Sequence, residues 1–271
     1  MSLTISAGQV AAFIANPTSF AGYSSGGYVK VDGAIDYSVA SALNAVPATY
    51  IEASILETTV ANIIGIAVNN STRNTLNKFS FAVSETAATA AELNSIVAKT
   101  SIAPDFSKIT NIEASDSTAI KTLYTSTTTG LGSEFIAVND TAINAKDLSD
   151  INGYTDKKVT PSATSITGKV ADVKSFLDTL VAQEAAAQLG ITLTTWDHDA
   201  NAGNADVKAT TLPITITGEA TIDAATLLAV IDHQAHNALV TVGSDATALS
   251  GLEATLTNVY LAGSAKVTGL G

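Results

Sequence analysis

FAVSETAATAAELNSI, running from Phe81 to Ile96, holds a complete structural unit in one short stretch. Phe81-Ala82-Val83 reads as a strand of apolar and β-favouring residues. Ser84 suits the N-cap of a helix opening at Glu85, where an acid in the first turn complements the helix dipole. Leu93 and Ile96 lie three apart and so share one helical face. The expected unit is a short strand, a small polar cap, an acid and an amphipathic helix anchored by Leu.

The same order recurs along the chain. IEASDSTAIKTL carries cap Ser115, acid Asp116 and anchor Leu123. FIAVNDTAINAKDLSDI carries cap Asn139, acid Asp140 and anchors Leu148 and Ile151. In SITGKVADVKSFLDTL, Gly168 takes the cap position and Leu177 and Leu180 anchor. TITGEATIDAATLLAVI opens a helix at Gly218 and Glu219, anchored by Leu228 and Ile231. LVTVGSDATALSGLEATL opens one at Gly243, Ser244 and Asp245, anchored by Leu252. Weaker copies are YVKVDGAIDYSVASALNAV, with anchor Leu43, and YIEASILETTVANII, with anchor Ile63 or Ile64. Strand centres precede anchors by about eleven residues, and anchors recur every ~25–30 residues, a period that marks a repeat architecture. The long step from Leu177 to Leu228 contains a helix through Leu189 and a degenerate unit, ITLTTWDHDANAGNADVKATTL.

Strands alternating with helices at this spacing imply parallel pairing through right-handed crossovers. One unit is too small to bury its own apolar face, so neighbours must stack. The expected fold is an α/β solenoid of roughly nine coils, with a parallel sheet on one side and short helices on the other. Residues 1–27 form an N-terminal capping segment, 28–271 the repeats, with an inserted loop near 191–212. An ordinary α/β domain with chance similarity between units is the alternative. Gly271 falls where the next helix would begin, so it is expected to be either a truncation point or an end that stacks on another subunit.

The composition narrows the function. The 271 residues are 46% hydrophobic, 14% charged and 6% aromatic, with no Cys, one Met and one Trp. Too much is apolar for intrinsic disorder, and no cysteine serves a disulfide framework or a thiolate zinc site. A formal net charge of −12 argues against nucleic acid as a partner. No run approaches the ~20 apolar residues of a membrane span, so no transmembrane segment is expected. The first Lys is Lys30, so the start lacks the basic region of a Sec signal. The expected locations are the cell interior, the cell surface by a non-classical export route, or a virion.

Asp197-His198-Asp199-Ala200-Asn201-Ala202-Gly203-Asn204-Ala205-Asp206 is the best local motif. Oxygen ligands at alternate positions followed by a glycine suit Ca²⁺, with Asp197, Asp199, Asn201 and Asp206 as the candidate ligands. The usual EF-hand glycine position holds Ala202 and the twelfth position Lys208, so a shorter loop closing on Asp206 is the candidate. The competing reading is a solvated loop between repeats. His233 and His236 share a helical face beside Asp232, the spacing of a metal pair, though HxxH alone is a weak motif. The pair Asp147 and Asp150 reads as a solvated helix face. Glu85, Asp116, Asp140, Glu219 and Asp245 read as acids capping the helices that follow them. Trp196 reads as an anchor for the Asp-rich loop. No nucleophile elbow, phosphate loop or dinucleotide fingerprint is present, and Gly130-Leu131-Gly132 lacks the third glycine. No catalytic or cofactor-binding residue is expected, and the chain is read as no enzyme.

Thr89–Ile96 (TAAELNSI), SITGKVADVKSFL and TITGEATIDAATLL resemble the degenerate TG-x-A-x-x-L and TAAELN repeats of very large bacterial surface proteins. These include cyanobacterial and marine S-layer-like or adhesin-like proteins, some with calcium-binding modules; a similar phrase occurs in phage tail fibres. The resemblance spans roughly residues 28–271. It implies a structural or adhesive role on a cell surface, self-association and Ca²⁺ dependence, or else a virion part such as a tail fibre or capsid decoration. A glycan-binding solenoid is disfavoured by the single Trp. Thr215-Ile216-Thr217 hints at an ice-binding face, but no regular Thr ladder is visible along the sequence.

Overall fold

The computed structural model describes residues 2–46, 50–66, 77–185, 190–191, 196–197, 209–210, 212–233, 240–252, 254–255, 257–259 and 267–268. They form a mixed α/β protein whose sheets are mostly parallel. The chain divides into two compact units, Met1–Glu113 with Thr118–Glu134, and Ala114–Ser117 with Phe135–Gly271.

In the first unit, β1 (Ser2–Ser6), β2 (Tyr28–Ile35), β3 (Tyr50–Ile55) and β4 (Lys78–Ser80) form one parallel sheet in chain order. Between them run the helices α1 (Val10–Ala15), α2 (Tyr37–Asn44) and α3 (Val60–Gly65). Next come β5 (Ala87–Thr89), α4 (Ala90–Val97), β6 (Asn111–Ser115) and α5 (Ser117–Thr125). β5 pairs in parallel with β6, Ala87 opposite Asn111. The second unit continues through β7 (Phe135–Val138), β8 (Ala142–Asn144), α6 (Ala145–Asn152), β9 (Val159–Pro161), β10 (Ser165–Gly168) and α7 (Val170–Ala185). Then follow β11 (Trp196–Asp197), β12 (Ala209–Thr210), β13 (Ile214–Ile216), β14 (Thr221–Asp223), α8 (Ala224–Asp232), β15 (Val240–Val242), β16 (Ala248–Ser250) and β17 (Val267–Thr268). A five-stranded parallel sheet runs β8-β10-β13-β15-β17, and β14 pairs in parallel with β16 in a separate two-stranded sheet.

Except for the 16-residue α7 the helices are short, and each buries side chains three apart. Ala90, Leu93 and Ile96 are buried on α4; Ala145, Leu148 and Ile151 on α6; Ala224, Leu227 and Val230 on α8. Val60 and Ile63 on α3, with Ile66 just past its end, and Val170, Val173 and Phe176 on α7 repeat the pattern. A small or β-branched first residue lets the helix start approach the strand it leaves. Fully burying each Leu stabilises by roughly 1.5–3 kcal/mol. The expected anchors Leu43, Ile63, Leu93, Leu123, Leu148 and Leu177 are all fully buried.

Two anchors are corrected. On α8 the buried position is Leu227, with Leu228 only partly covered, because the helix starts at Ala224 and the three-residue row counts from there. Leu252 is 79% exposed. It follows Gly251, whose φ of +146° matches that of Gly168. Each glycine sits over the first residue of the preceding helix. A Cβ at Gly168 would lie 3.7 Å from the Ala145 Cβ, and one at Gly251 3.2 Å from the Ala224 Cβ. Leu252 thus takes the place of Lys169, outside the helix. Leu189 lies outside the described residues.

The helix starts are also corrected. Helix α4 opens at Ala90, five residues later than Glu85, because Thr89 wins the cap. Its hydroxyl accepts from the Glu92 N–H at 3.2 Å, and the Glu92 carboxylate accepts from the Thr89 N–H at 2.9 Å. This reciprocal box satisfies two otherwise orphaned donors. Likewise Asn144 caps α6 and Asp223 caps α8, after an intervening short strand in each case.

The acids read as local caps reach instead to the segment before. Glu85 accepts from the N–H of Val60, first residue of α3, at 2.9 and 3.0 Å across 25 residues. Asp140 accepts from the Ser117 N–H, which opens α5, at 2.7 Å across 23 residues. Glu219 accepts from the Val170 N–H, which opens α7, at 2.9 Å across 49 residues. Asp245 accepts from the Gly218 N–H. Glu85, Asp140 and Glu219 thereby each meet an otherwise orphaned N–H and the positive pole of a helix at once, whereas Gly218 precedes a strand.

Hydroxyls stitch neighbouring segments in the same direction. Ser162 donates to the Val138 carbonyl at 3.2 Å across 24 residues, and Thr164 to the Thr141 carbonyl at 3.1 Å across 23. Thr110, Thr129 and Thr247 do the same to Thr86, Pro104 and Ala220. Between α2 and β4, the Asn77 amide donates to the Asn44 side-chain oxygen at 2.6 Å and accepts from the Ile51 N–H at 3.0 Å. Both asparagines are buried, and pairing removes the desolvation cost they would otherwise carry.

The register holds a row of four threonines and one asparagine that the sequence hides. Asn144, Thr167, Thr215, Thr241 and Thr268 stand opposite one another on β8, β10, β13, β15 and β17. SITGK and TITGE also differ in register: Ile166 pairs with Ile214, not with Ile216. A shift of two keeps the apolar face inward, so the pleat tolerates it.

Leu93→Ala is expected to cost about 2–5 kcal/mol in urea unfolding, the range for a large-to-small change in a packed core. Leu252→Ala should fall within about 0.5 kcal/mol, as for an exposed site.

Candidate functional site

The Asp-rich loop has the most suggestive sequence of the candidate sites. β11 and β12 pair antiparallel, Trp196 opposite Thr210 and Asp197 opposite Ala209. The chain therefore leaves and re-enters this segment at neighbouring points, and Asp197 stands at its neck. Asp199, Asn201 and Asp206 lie outside the described residues. Among the described residues, no three His, Asp or Glu side chains gather in a way that could hold a metal ion.

The histidine pair is divided by the same limit. His233 ends α8, and His236 lies outside the described residues. The His233 Nε2 stands 3.4 Å from an Asp178 carboxylate oxygen on α7, so this imidazole is engaged by the neighbouring helix. Asp150 takes the Lys146 ammonium at 2.8 Å, one turn away. That hydrogen bond holds the Lys146 ammonium above its ordinary range. Asp147 lies in the first turn of α6, where the helix dipole favours an acid. These carboxylates are occupied by structure.

Gly130-Leu131-Gly132 leads into a buried acid that the sequence did not single out. Glu134 is 1% exposed. Its carboxylate accepts the Tyr124 hydroxyl at 2.6 Å and the Gly132 N–H at 2.9 Å from both oxygens. Burial, reinforced by the hydrogen bond to Glu134, drives the Tyr124 phenol well above its usual range. The neutral phenol is thereby held as a donor, and the loop before β7 is clasped to α5. A glutamate two residues after a Gly-x-Gly was the available signal.

The outward face of the first sheet carries the other missed cluster. Tyr28 on β2 stands opposite Tyr50 on β3, and Lys30, Glu52 and Lys78 follow in one row across β2, β3 and β4. The two rings stack with centroids 5.4 Å apart and planes 30° from parallel. The Tyr28 hydroxyl donates to the Glu52 carboxylate, which also meets Lys30 at 3.3 Å and Lys78 at 4.0 Å. Burial first, and then the bond to Glu52, pushes the Tyr28 phenol up to about 12. The same bond, helped by Lys30 and Lys78, lowers Glu52. Alternation places all five side chains on one face, but the partners across strands depend on the register.

No described helix is long and apolar enough to cross a membrane. Comparison with protein-family models, curated proteins and solved structures finds no match for this chain.

Tyr28 favours the folded state only while its phenol is neutral, so its contribution is complete below pH 10 and fades as pH rises toward about 12. Glu52, whose carboxyl is lowered in the fold, contributes above the ordinary carboxylate range and loses that contribution as pH falls through it. Ultraviolet titration of the wild type against Tyr28→Phe should show one late-titrating phenol missing from the variant. An unchanged late phase would show that Tyr28 is not its source.

Proposed function

We propose that this chain is a non-catalytic structural or adhesive module of a cell or virion surface, built as an α/β solenoid and assembling through its ends or edges. One observation supports the reading above others: its recurrent polar groups are spent on joining successive segments. Carboxylates and hydroxyls bond backbone groups of the preceding segment at separations of 23, 24, 25 and 27 residues. Stacked repeats give that pattern, because each repeat finds its partners in its neighbour. The alternation of buried and outward residues along the short strands supports it too. An enzyme of this size would gather such groups around a pocket; here they follow the chain.

Calcium enters the same proposal through the Asp197–Asp206 loop. The pairing of Asp197 with Ala209 supports it, because a closed neck lowers the entropy lost when oxygens converge on a cation. Four acidic or amide ligands would also draw in part of the charge of −12.

Negative-stain electron microscopy and light scattering, each with and without Ca²⁺, test the reading. Ordered assemblies or filaments, strengthened by the ion, are expected. Strictly monomeric particles in both conditions would overturn it. Asp197→Asn with Asp199→Asn should remove the calcium response and leave the calcium-free state unchanged.

A further inference from the structure

The stacked tyrosines on the first sheet form a geometry suited to coupling chemistry. Tyr28 and Tyr50 occupy facing positions on adjacent parallel strands. Rings with centroids 5.4 Å apart and 30° from parallel are in van der Waals contact. Their facing positions on adjacent strands hold the two rings side by side, so side-chain rotation without any change of register can bring the ortho carbons together. Both rings are half-buried, so they are reachable from solvent while their motion is restricted. The Tyr28 hydroxyl already donates to Glu52. A proton acceptor is thus in place for the moment an electron leaves the ring. Lys30 and Lys78 flank that acceptor and keep it ionised.

We infer that Tyr28 and Tyr50 form an oxidative cross-linking site, joining β2 to β3 through a dityrosine bond when a one-electron oxidant such as a peroxide-driven haem peroxidase is supplied. Each phenol loses one electron and one proton, the Tyr28 proton passing to Glu52 and the Tyr50 proton to water. The two phenoxyl radicals couple through ortho carbons, making one carbon–carbon bond. The hydrogen on each coupled carbon then moves to its phenol oxygen, which restores both aromatic rings. In total two hydrogens leave the protein, and one hydrogen peroxide becomes two waters. A sugar platform fits this cluster less well, because the rings press their faces on each other instead of presenting them outward.

Other tyrosines among the described residues are differently placed. Tyr124 is committed to the buried Glu134, and Tyr23 packs edge-on against Phe13 at 5.4 Å.

The inference does not depend on the surface role proposed above. The full chain is treated with horseradish peroxidase and limiting hydrogen peroxide, then digested and analysed by mass spectrometry and dityrosine fluorescence. The expected product is an intramolecular link between the Tyr28 and Tyr50 peptides, lighter by two hydrogens and dominant over every other tyrosine pair. Tyr50→Phe, which keeps the ring stack, should abolish both the link and most of the fluorescence. Glu52→Gln should slow its formation several-fold while circular dichroism is unchanged. Links spread evenly over other tyrosines, or hydroxylation of Tyr28 and Tyr50 without coupling, would overturn the inference. An undiminished yield in Tyr50→Phe would do the same.

Discussion

The structure depends on one recurrent reach: a carboxylate or hydroxyl in one segment bonding a backbone group in the segment before. Glu85 to Val60, Asp140 to Ser117 and Glu219 to Val170 all satisfy the first amide of an earlier helix. Short helices have a high proportion of orphaned ends, and they gain little from propensity alone. A helix of six residues such as α3 persists because the next segment supplies its acceptor and its apolar floor. Hydrogen bonds to charged groups contribute about 1.5–3 kcal/mol each. Removing the acceptor would leave the helix end without its partner.

This arrangement also explains the composition. Thr and Ser are abundant because their hydroxyls donate to carbonyls of the neighbouring segment, as Ser162 and Thr164 do. Ala is abundant because the first residue of a helix lies against a strand or a glycine, as Ala145 and Ala224 do. Aromatics are few where segments approach closely. Ring-to-ring contacts occur in the first unit, where Phe13 meets Phe20 and Tyr23, and Phe79 meets Phe81. The low charge density follows as well, since the acids placed between segments must each find a donor.

Much of the fold was legible because apolar spacing survives any error in helix boundaries. Leu93, Leu148 and Leu177 are buried whichever residue opens the helix, since the three-residue row is a property of the sequence. The helix starts were less legible. Ser84 and Thr89 both look like caps, and only the reciprocal bond with Glu92 distinguishes them. The destination of Glu85 could not be read at all, because it depends on which earlier amide the register brings near. The threonine row was hidden for the same reason: unequal connections separate residues that pairing aligns. At the candidate sites, the Asp-rich motif was visible as composition, whereas Tyr28 beside Tyr50 and Tyr124 beside Glu134 arise from chain geometry. Nothing local in either sequence marks the partner.

The pairing of β10 with β13 has a consequence for how such a chain changes over generations. Ile166 and Ile214 are in register although a long helix and the Asp-rich stretch intervene. Nearby rungs elsewhere close over roughly half that length, and doubling a flexible loop costs only about 0.6 kcal/mol. Insertions and deletions between rungs should therefore be nearly neutral, provided the strand residues keep their alternation. Selection can lengthen, shorten or replace the excursions one at a time without revising the rungs on either side. Relatives of this chain would then diverge most in length between strands and least in the parity of their buried positions.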